Sequence, residues 1–296
     1  MLKNASAFME SGYLPDWLIR IGVRRLWVDR ANPPFVTLQT QFANIEHAEL
    51  PVGFFQNVLG PRLHYSAGWW PDEARDLETA EAAMLALICE RAELGFDQDI
   101  LELGCGWGSL TLWLAEFYPD SRFVAVSTSR SQRDFIEARC RERGFTNVRA
   151  TVGPNDLAAD RRFDRVLSVA TFERRPHDPG GLHPLHGRLK LGGKLFVQTD
   201  GLQPGGDLPS RFQHGLKLED QWPCNGRHYQ RTLEAWLANL DQQRDTILAL
   251  FRPCYGPDQA ERWLQRWRIL FMARAERFGR RAGERWGVSH YRFSST

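Results

Sequence analysis

Ten residues, Ile100-Leu-Glu-Leu-Gly-Cys-Gly-Trp-Gly-Ser109, constrain this chain more than any other stretch. An apolar strand ends near an acid, meets three alternating glycines and continues as an amphipathic helix through Leu110, Leu112, Trp113, Leu114 and Phe117. Gly104, Gly106 and Gly108 let the backbone turn tightly and approach a ligand with no side chain in the way. Helix N–H groups from Ser109 onward then point toward that ligand. The Gly-x-Gly-x-Gly spacing differs from the Gly-x-Gly-x-x-Gly of dinucleotide binders.

Around this turn the pattern alternates strand and helix from 99 to 200. Strands are expected at Ile100–Leu103, Arg122–Val126, Val148–Val152, Arg165–Val169 and Lys194–Thr199, with helices at 108–117 and 130–143. Repeated β-α units imply a parallel sheet, whose ligands bind at the carboxyl ends of the strands. Ser129-Arg-Ser-Gln132 has the spacing of a capping box. Residues 73–94 read as a helix with Ala80, Met84, Leu87 and Ile88 inward. The stretch 201–231 reads as loop, 232–278 as two long helices, and Val288–Phe293 as a final edge strand.

Composition excludes several classes. A net charge of +2 gives no electrostatic reason to expect nucleic acid. No apolar run is long enough to span a bilayer, and the start lacks the apolar core of a secretory signal. Cys89, Cys105, Cys140, Cys224 and Cys254 are widely spaced with no Cys-x-x-Cys, which fits a reducing cytoplasm. His177, His183 and His186 sit in a proline-glycine stretch without the helical face or carboxylate pair that a metal site needs, so no metal is expected. Near the N-terminus, Leu14, Trp17, Leu18, Ile21 and Leu26 form one expected helical face, with Arg20, Arg24 and Arg25 beside it. The favoured reading is a helix packed on the main body with solvated arginines. The lesser one is membrane-surface contact.

The second strand ends in Ser127-Thr128-Ser129, where dinucleotide enzymes carry an acid for the ribose hydroxyls. A neutral hydroxyl still bonds a ribose, without the strength of charge assistance. This counts against a nicotinamide cofactor.

The glycine turn resembles motif I of the S-adenosylmethionine-dependent methyltransferases, and the chain from about residue 62 onward resembles the family of coclaurine-type N-methyltransferases and cyclopropane fatty acid synthases. The matching segments are Tyr65-Ser-Ala-Gly-Trp-Trp70, Glu102 to Ser109 and Ser127 to Gln132. Further matches are Asn225-Gly-Arg-His-Tyr229 with Thr232 and Trp236, Trp263 with Trp267-Arg268, and Glu284 to Tyr291. The C-terminal segments fit the N-methyltransferase branch better.

The resemblance implies an α/β fold: a Rossmann-like class I methyltransferase sheet with a helical N-terminal segment and a C-terminal helical cap. The expected divisions are 1–72 (N-terminal segment), 73–200 (cofactor-binding core) and 201–296 (substrate-side loops, cap and final strand). It also implies S-adenosyl-L-methionine as cofactor, met by Tyr65, Ser66, Glu102, Gly104, Gly106, Gly108, Thr128, Ser129, Gln132 and Asn155. The implied catalytic candidates are Glu173, His228 and Tyr229. Glu276, Trp286 and Tyr291 join Tyr65 as expected walls or polar groups of the acceptor pocket. The implied partner is a small-molecule acceptor, and homo-oligomerisation stays open.

One departure bears on chemistry. Where the family carries Glu-Met-Phe-Glu-His, this chain reads Ala170-Thr-Phe-Glu-Arg174. Glu173 remains, the first carboxylate is gone, and Arg174 cannot act as a base. The leading expectation is methyl transfer to a small, partly aromatic nitrogenous acceptor. The alternatives are modification of an unsaturated lipid, as in cyclopropane fatty acid synthases, and a cofactor-binding paralogue without chemistry that acts with a partner subunit.

Overall fold

The computed structural model describes residues 10, 12–26, 50–153, 157, 160–170, 187–202 and 215–295. Its sheet contains β1 (Asp99–Leu103), β2 (Arg122–Ser127), β3 (Val148–Val152), β4 (Phe163–Val169), β5 (Leu189–Leu202), β6 (Leu216–Asn225) and β7 (Trp286–Ser295). The helices among the described residues are α1 (Asp16–Leu26), α2 (Val52–Val58), α3 (Leu77–Arg91), α4 (Ser109–Phe117), α5 (Arg130–Arg143), α6 (Gly226–Gln242), α7 (Arg244–Tyr255) and α8 (Pro257–Phe278).

The strand order is β3-β2-β1-β4-β5-β7-β6. Strands β1 to β5 run parallel, and β7 runs antiparallel to both β5 and β6. The strand order reverses beside β1, between β1 and β4, which opens a crevice at their carboxyl ends. Successive strand residues feed opposite faces. Ile100, Phe123, Leu167 and Phe196 enter the core under α3 and the C-terminal helices, while Leu101, Val124, Val166, Leu195 and Val197 fill the other face. A parallel Rossmann-like sheet was expected from the sequence, and β1 to β5 form one.

Helix boundaries have local causes. Asp76 caps α3 by accepting the Thr79 N–H at 2.8 Å. Ser129 caps α5 by accepting from Gln132 N, and Gly144 ends that helix at φ 71°.

Four expectations are corrected. Val288–Phe293 lies inside β7, which is an interior strand, because β6 pairs along its outer side. The loop expected over 201–231 contains β6, whose alternating polar residues and Pro223 suit an edge. The two helices expected over 232–278 are three, separated at Gln243 and at Gly256, the latter followed by Pro257 in the first turn of α8.

The fourth concerns α1. It packs on α8 as expected, but through Ile19 and Val23, which are fully buried, while Trp17, Leu18 and Ile21 are exposed. The arginines set this rotation. Arg20 pairs with Glu234 at 2.6 Å, and Arg24 with Glu276 at 2.5 Å, so these two cations dock the helix and are not simply solvated.

Candidate active site

The glycine turn sits at the crevice where the strand order reverses. Gly104, Gly106 and Gly108 all adopt left-handed φ values of 74°, 54° and 80°, a region that L side chains enter at a cost. A Cβ on Gly108 would lie 2.6 Å from Ile136 Cγ1, so this glycine also lets α4 approach α5 closely. A Cβ on Gly106 would meet nothing within 4 Å, which leaves open space beside the turn. The first-turn N–H groups of α4 face the same crevice end.

Glu102 braces the turn from within. Its carboxylate is buried and accepts the Thr111 hydroxyl across the start of α4. Burial pushes it up to about 7, against the opposing pull of that hydrogen bond.

At the end of β2, Thr128 is exposed and Ser129 caps α5. The Ser127 hydroxyl donates to Gln132 Oε1 at 2.6 Å and accepts the Ser129 N–H at 3.0 Å. The capping box is therefore half formed, since Gln132's side chain reaches Ser127 instead of the Ser129 backbone. Gln132 keeps its NH₂ group as a donor with no partner among the described residues. A hydroxyl- and amide-lined strand end of this kind fits the ribose of a nucleoside.

The segment from 60 to 70 crosses this end of the sheet and is fastened at several points. His64 Nδ1 lies 3.4 Å from Ser109 Oγ, at the start of α4. Ser66 Oγ accepts from Gln198 Nε2 at 2.8 Å, tying the segment to the carboxyl end of β5. The Gly68 N–H and the Trp70 indole both donate to Thr232 Oγ1, at 3.0 and 2.9 Å. Tyr65 stacks on Trp236 with centroids 5.3 Å apart and meets Phe55 edge-on at 5.6 Å. An aromatic wall thus stands against the glycine turn, where Phe55 also packs on Trp107.

His228 belongs to this wall. It stacks on Trp69 at 4.0 Å, and its Nδ1 accepts the Trp70 N–H at 3.0 Å. Burial, with Arg231 adding to it, lowers the ring to about 4. The neutral ring with Nδ1 accepting carries its proton on Nε2, which makes that nitrogen a hydrogen-bond donor and not a base. Tyr229 is buried, with its ring 4.5 Å from Phe278 and 6.1 Å from Trp236.

Glu173 and Asn155 lie outside the described residues, as do Arg174 and the three histidines at 177, 183 and 186. Among the described residues no cluster of metal-ligating side chains occurs. Ala170, which ends the fourth-strand turn, holds a left-handed φ of 52° and donates its N–H to Gln198 O at 3.0 Å. Such strain in a non-glycine residue persists where surrounding structure over-determines it. Glu276 proves to be occupied elsewhere. Burial raises its pKa, but hydrogen bonds from Arg24 and Arg20 outweigh that and hold it below the usual value.

Sequence reasoning missed His64, Glu81 and Gln198. Glu81 left a trace, a carboxylate inside the apolar stripe Leu77, Ala80, Met84, Leu85 and Ile88. Gln198 left none, since a single polar residue at a strand end is ordinary.

The geometry has known counterparts. A sequence profile described as mycolic acid cyclopropane synthetase matches residues 37–199. The (S)-coclaurine N-methyltransferase of Papaver somniferum is 31% identical over 274 residues, covering 83% of this chain and 78% of that one. A crystal structure of coclaurine N-methyltransferase bound to N-methylheliamine and SAH superposes with a TM-score of 0.87 at 26% identity, over 99% of each chain. The cyclopropane synthase MmaA2 of Mycobacterium tuberculosis shares the fold, with a TM-score of 0.67 at 19% identity over 85% of this chain and 95% of that one. With the profile spanning more than half of its length, the chain belongs to the mycolic acid cyclopropane synthetase family of S-adenosylmethionine-dependent class I methyltransferases.

Proposed function

We propose that this protein transfers a methyl group from S-adenosylmethionine to the nitrogen of a small, partly aromatic amine. The observation that carries the reading is the fastening of the aromatic segment 64–70 between Ser109 at the start of α4, the end of β5 and α6. Its kinship with coclaurine-type enzymes, one of them holding a methylated amine, supports the same reading. The cofactor supplies an activated methyl on a sulfonium. The chain's own residues supply position and polarity.

In this proposal Gly104, Gly106 and Gly108 admit the cofactor to the backbone, and Glu102 keeps the turn in shape. Thr128, Ser129, Gln132 and Asn155 hold the nucleoside, and Tyr65 and Ser66 close over the methionine end. In-line displacement needs a neutral nitrogen lone pair aligned with the methyl. Glu173, following β4, orients the acceptor and accepts its proton. His228 donates through Nε2 and lines the pocket with Trp69, and Tyr229 supports that wall.

The segments 1–72, 73–200 and 201–296 are assigned as parts of one continuous unit. Ile19, Phe54, Met84, Trp236 and Phe271 share a single core cluster, which supports that assignment. No helix among the described residues is long and apolar enough to cross a membrane, and all five cysteines are unpaired thiols. A cytoplasmic enzyme is consistent with both.

The test is transfer from S-adenosylmethionine to a panel of aromatic cyclic amines and to vesicles of unsaturated phospholipid, read by mass spectrometry. N-methylated amines are the expected products. Label appearing only in acyl chains overturns the reading in favour of lipid modification. Cofactor binding without transfer to either overturns it in favour of a paralogue without chemistry.

A further inference from the structure

Glu81 has no exposed surface, yet it lies on the apolar face of α3 between Ala80, Met84 and Leu85. A carboxylate in such surroundings is costly unless it is hydrogen-bonded. Here the bonds come from main chain. Oε1 accepts the N–H of Gly60 at 3.1 Å and of His64 at 3.3 Å, and Oε2 accepts the N–H of Arg62 at 3.0 Å.

These donors belong to an irregular turn that has no strand or helix to pair with. Within it Leu63 is held at a left-handed φ of 54°. A non-glycine residue stays there only when its neighbours compel it. The carboxylate also touches the turn directly, since a Cβ on Gly60 would come 2.5 Å from Glu81 Oε2. The next residues along the chain are His64, beside Ser109, then Tyr65 on Trp236 and Ser66 on Gln198.

We propose that Glu81 is a positioning residue for cofactor binding: its carboxylate fixes the 60–64 turn and thereby holds Tyr65 and Ser66 against the carboxyl edge of the sheet. This rests on the reading that Tyr65 and Ser66 meet the cofactor. A carboxylate that served only to fill space in α3 would affect stability and nothing at the crevice.

The test uses Glu81→Gln in the full chain. An amide has one accepting oxygen where the carboxylate has two, so at least one backbone N–H loses its partner. Amide exchange, followed by mass spectrometry on the cofactor-free protein, is expected to quicken at least tenfold in 60–66 and to stay unchanged in β1 and α6. Calorimetric Kd for S-adenosylhomocysteine is expected to rise about tenfold or more. Ile88→Val, a packing change on the same helix, is the control and is expected to leave both readouts unmoved.

Gly60→Ala keeps the carboxylate but displaces it from the turn. It should reproduce both effects, and it provides the test if Glu81→Gln fails to fold. Unchanged exchange in 60–66, or faster exchange with unchanged affinity, overturns the proposal. Ser66→Ala then locates the fault. If that variant weakens binding, the cofactor reading stands and only the role of Glu81 falls. If it leaves binding intact as well, the reading of Tyr65 and Ser66 falls with it.

Discussion

Arg20 and Glu276 are 256 positions apart in the chain and meet at 3.1 Å, with the Glu276 side chain only 8% exposed. Together with Arg24 on the same carboxylate, this contact fastens α1 to α8. Removing one partner of a well-buried pair costs several kcal/mol, and the exposure of Arg24 reduces that figure. Glu276→Gln is therefore expected to lower stability by roughly 1–3 kcal/mol in urea unfolding. Unchanged stability would mean that Ile19, Val23 and the remaining ion pairs, Arg20–Glu234 and Asp16–Arg268, hold the helix without it.

Gly106 combines a positive φ with open space where a side chain would project. Gly106→Val is expected to abolish cofactor binding while the protein stays folded, with a backbone strain of about 1–3 kcal/mol. Gly106→Ala carries the strain with less bulk and separates the two effects. Calorimetry showing wild-type affinity in the valine variant would sink the placement of the cofactor on this turn.

The pH dependence of stability should carry the signature of Glu102. Its carboxyl is raised from 4.5 to about 7, first by burial and against the Thr111 hydrogen bond. The folded state therefore binds this proton more tightly than the unfolded chain does. The contribution is fully present below 4.5 and is lost as pH rises through about 7. At ~1.4 kcal/mol per pKa unit, the effect is on the order of 3 kcal/mol at most. Glu102→Gln stays neutral throughout. Measured without cofactor, its Tm relative to wild type is expected to climb across that window, and a flat difference would refute the assignment.

Glu173 is expected to matter for turnover and not for cofactor affinity. Replacing a general base or acceptor-orienting carboxylate typically costs ~10²-fold or more in rate, so Glu173→Gln should show that loss with an unchanged Kd for S-adenosylhomocysteine. If it is instead an exposed partner of Arg174 or Arg175, a pair worth ~0–1 kcal/mol, neither activity nor stability should move.

The parallel half of the sheet and the glycine turn were legible because they depend on local signals: apolar runs bounded by turn residues, and backbone positions that only glycine fills comfortably. The other half was legible only in part: Val288–Phe293 read as a strand, though not as an interior one, and β6 did not. β6 reads Leu-Lys-Leu-Glu-Asp-Gln-Trp-Pro-Cys-Asn, and its polar alternation, suited to an edge, lacks the apolar run that marks a buried strand. The rotation of α1 was misjudged because carboxylates more than two hundred residues away decide it. Much of the aromatic wall was legible as residues but not as contacts. Tyr65, Thr232, His228 and Trp236 could each be named, yet what joins them is a set of bonds between segments some 160 residues apart.

The interior position of β7 has a consequence for how the molecule is made. The strand is synthesised after every other one in the sheet, yet β5 and β6 both pair with it and not with each other. Until residues 286–295 leave the ribosome, β5 presents an open edge carrying Leu195 and Val197, and β6 lacks the one strand it pairs with among the described residues. Pairing across such sequence distances is slow to form, and an unpaired apolar edge invites association with other chains. Completing the cofactor-binding sheet thus depends on the last of its strands to be made, and truncation before residue 286 should leave an adhesive flank that raises the demand for chaperones.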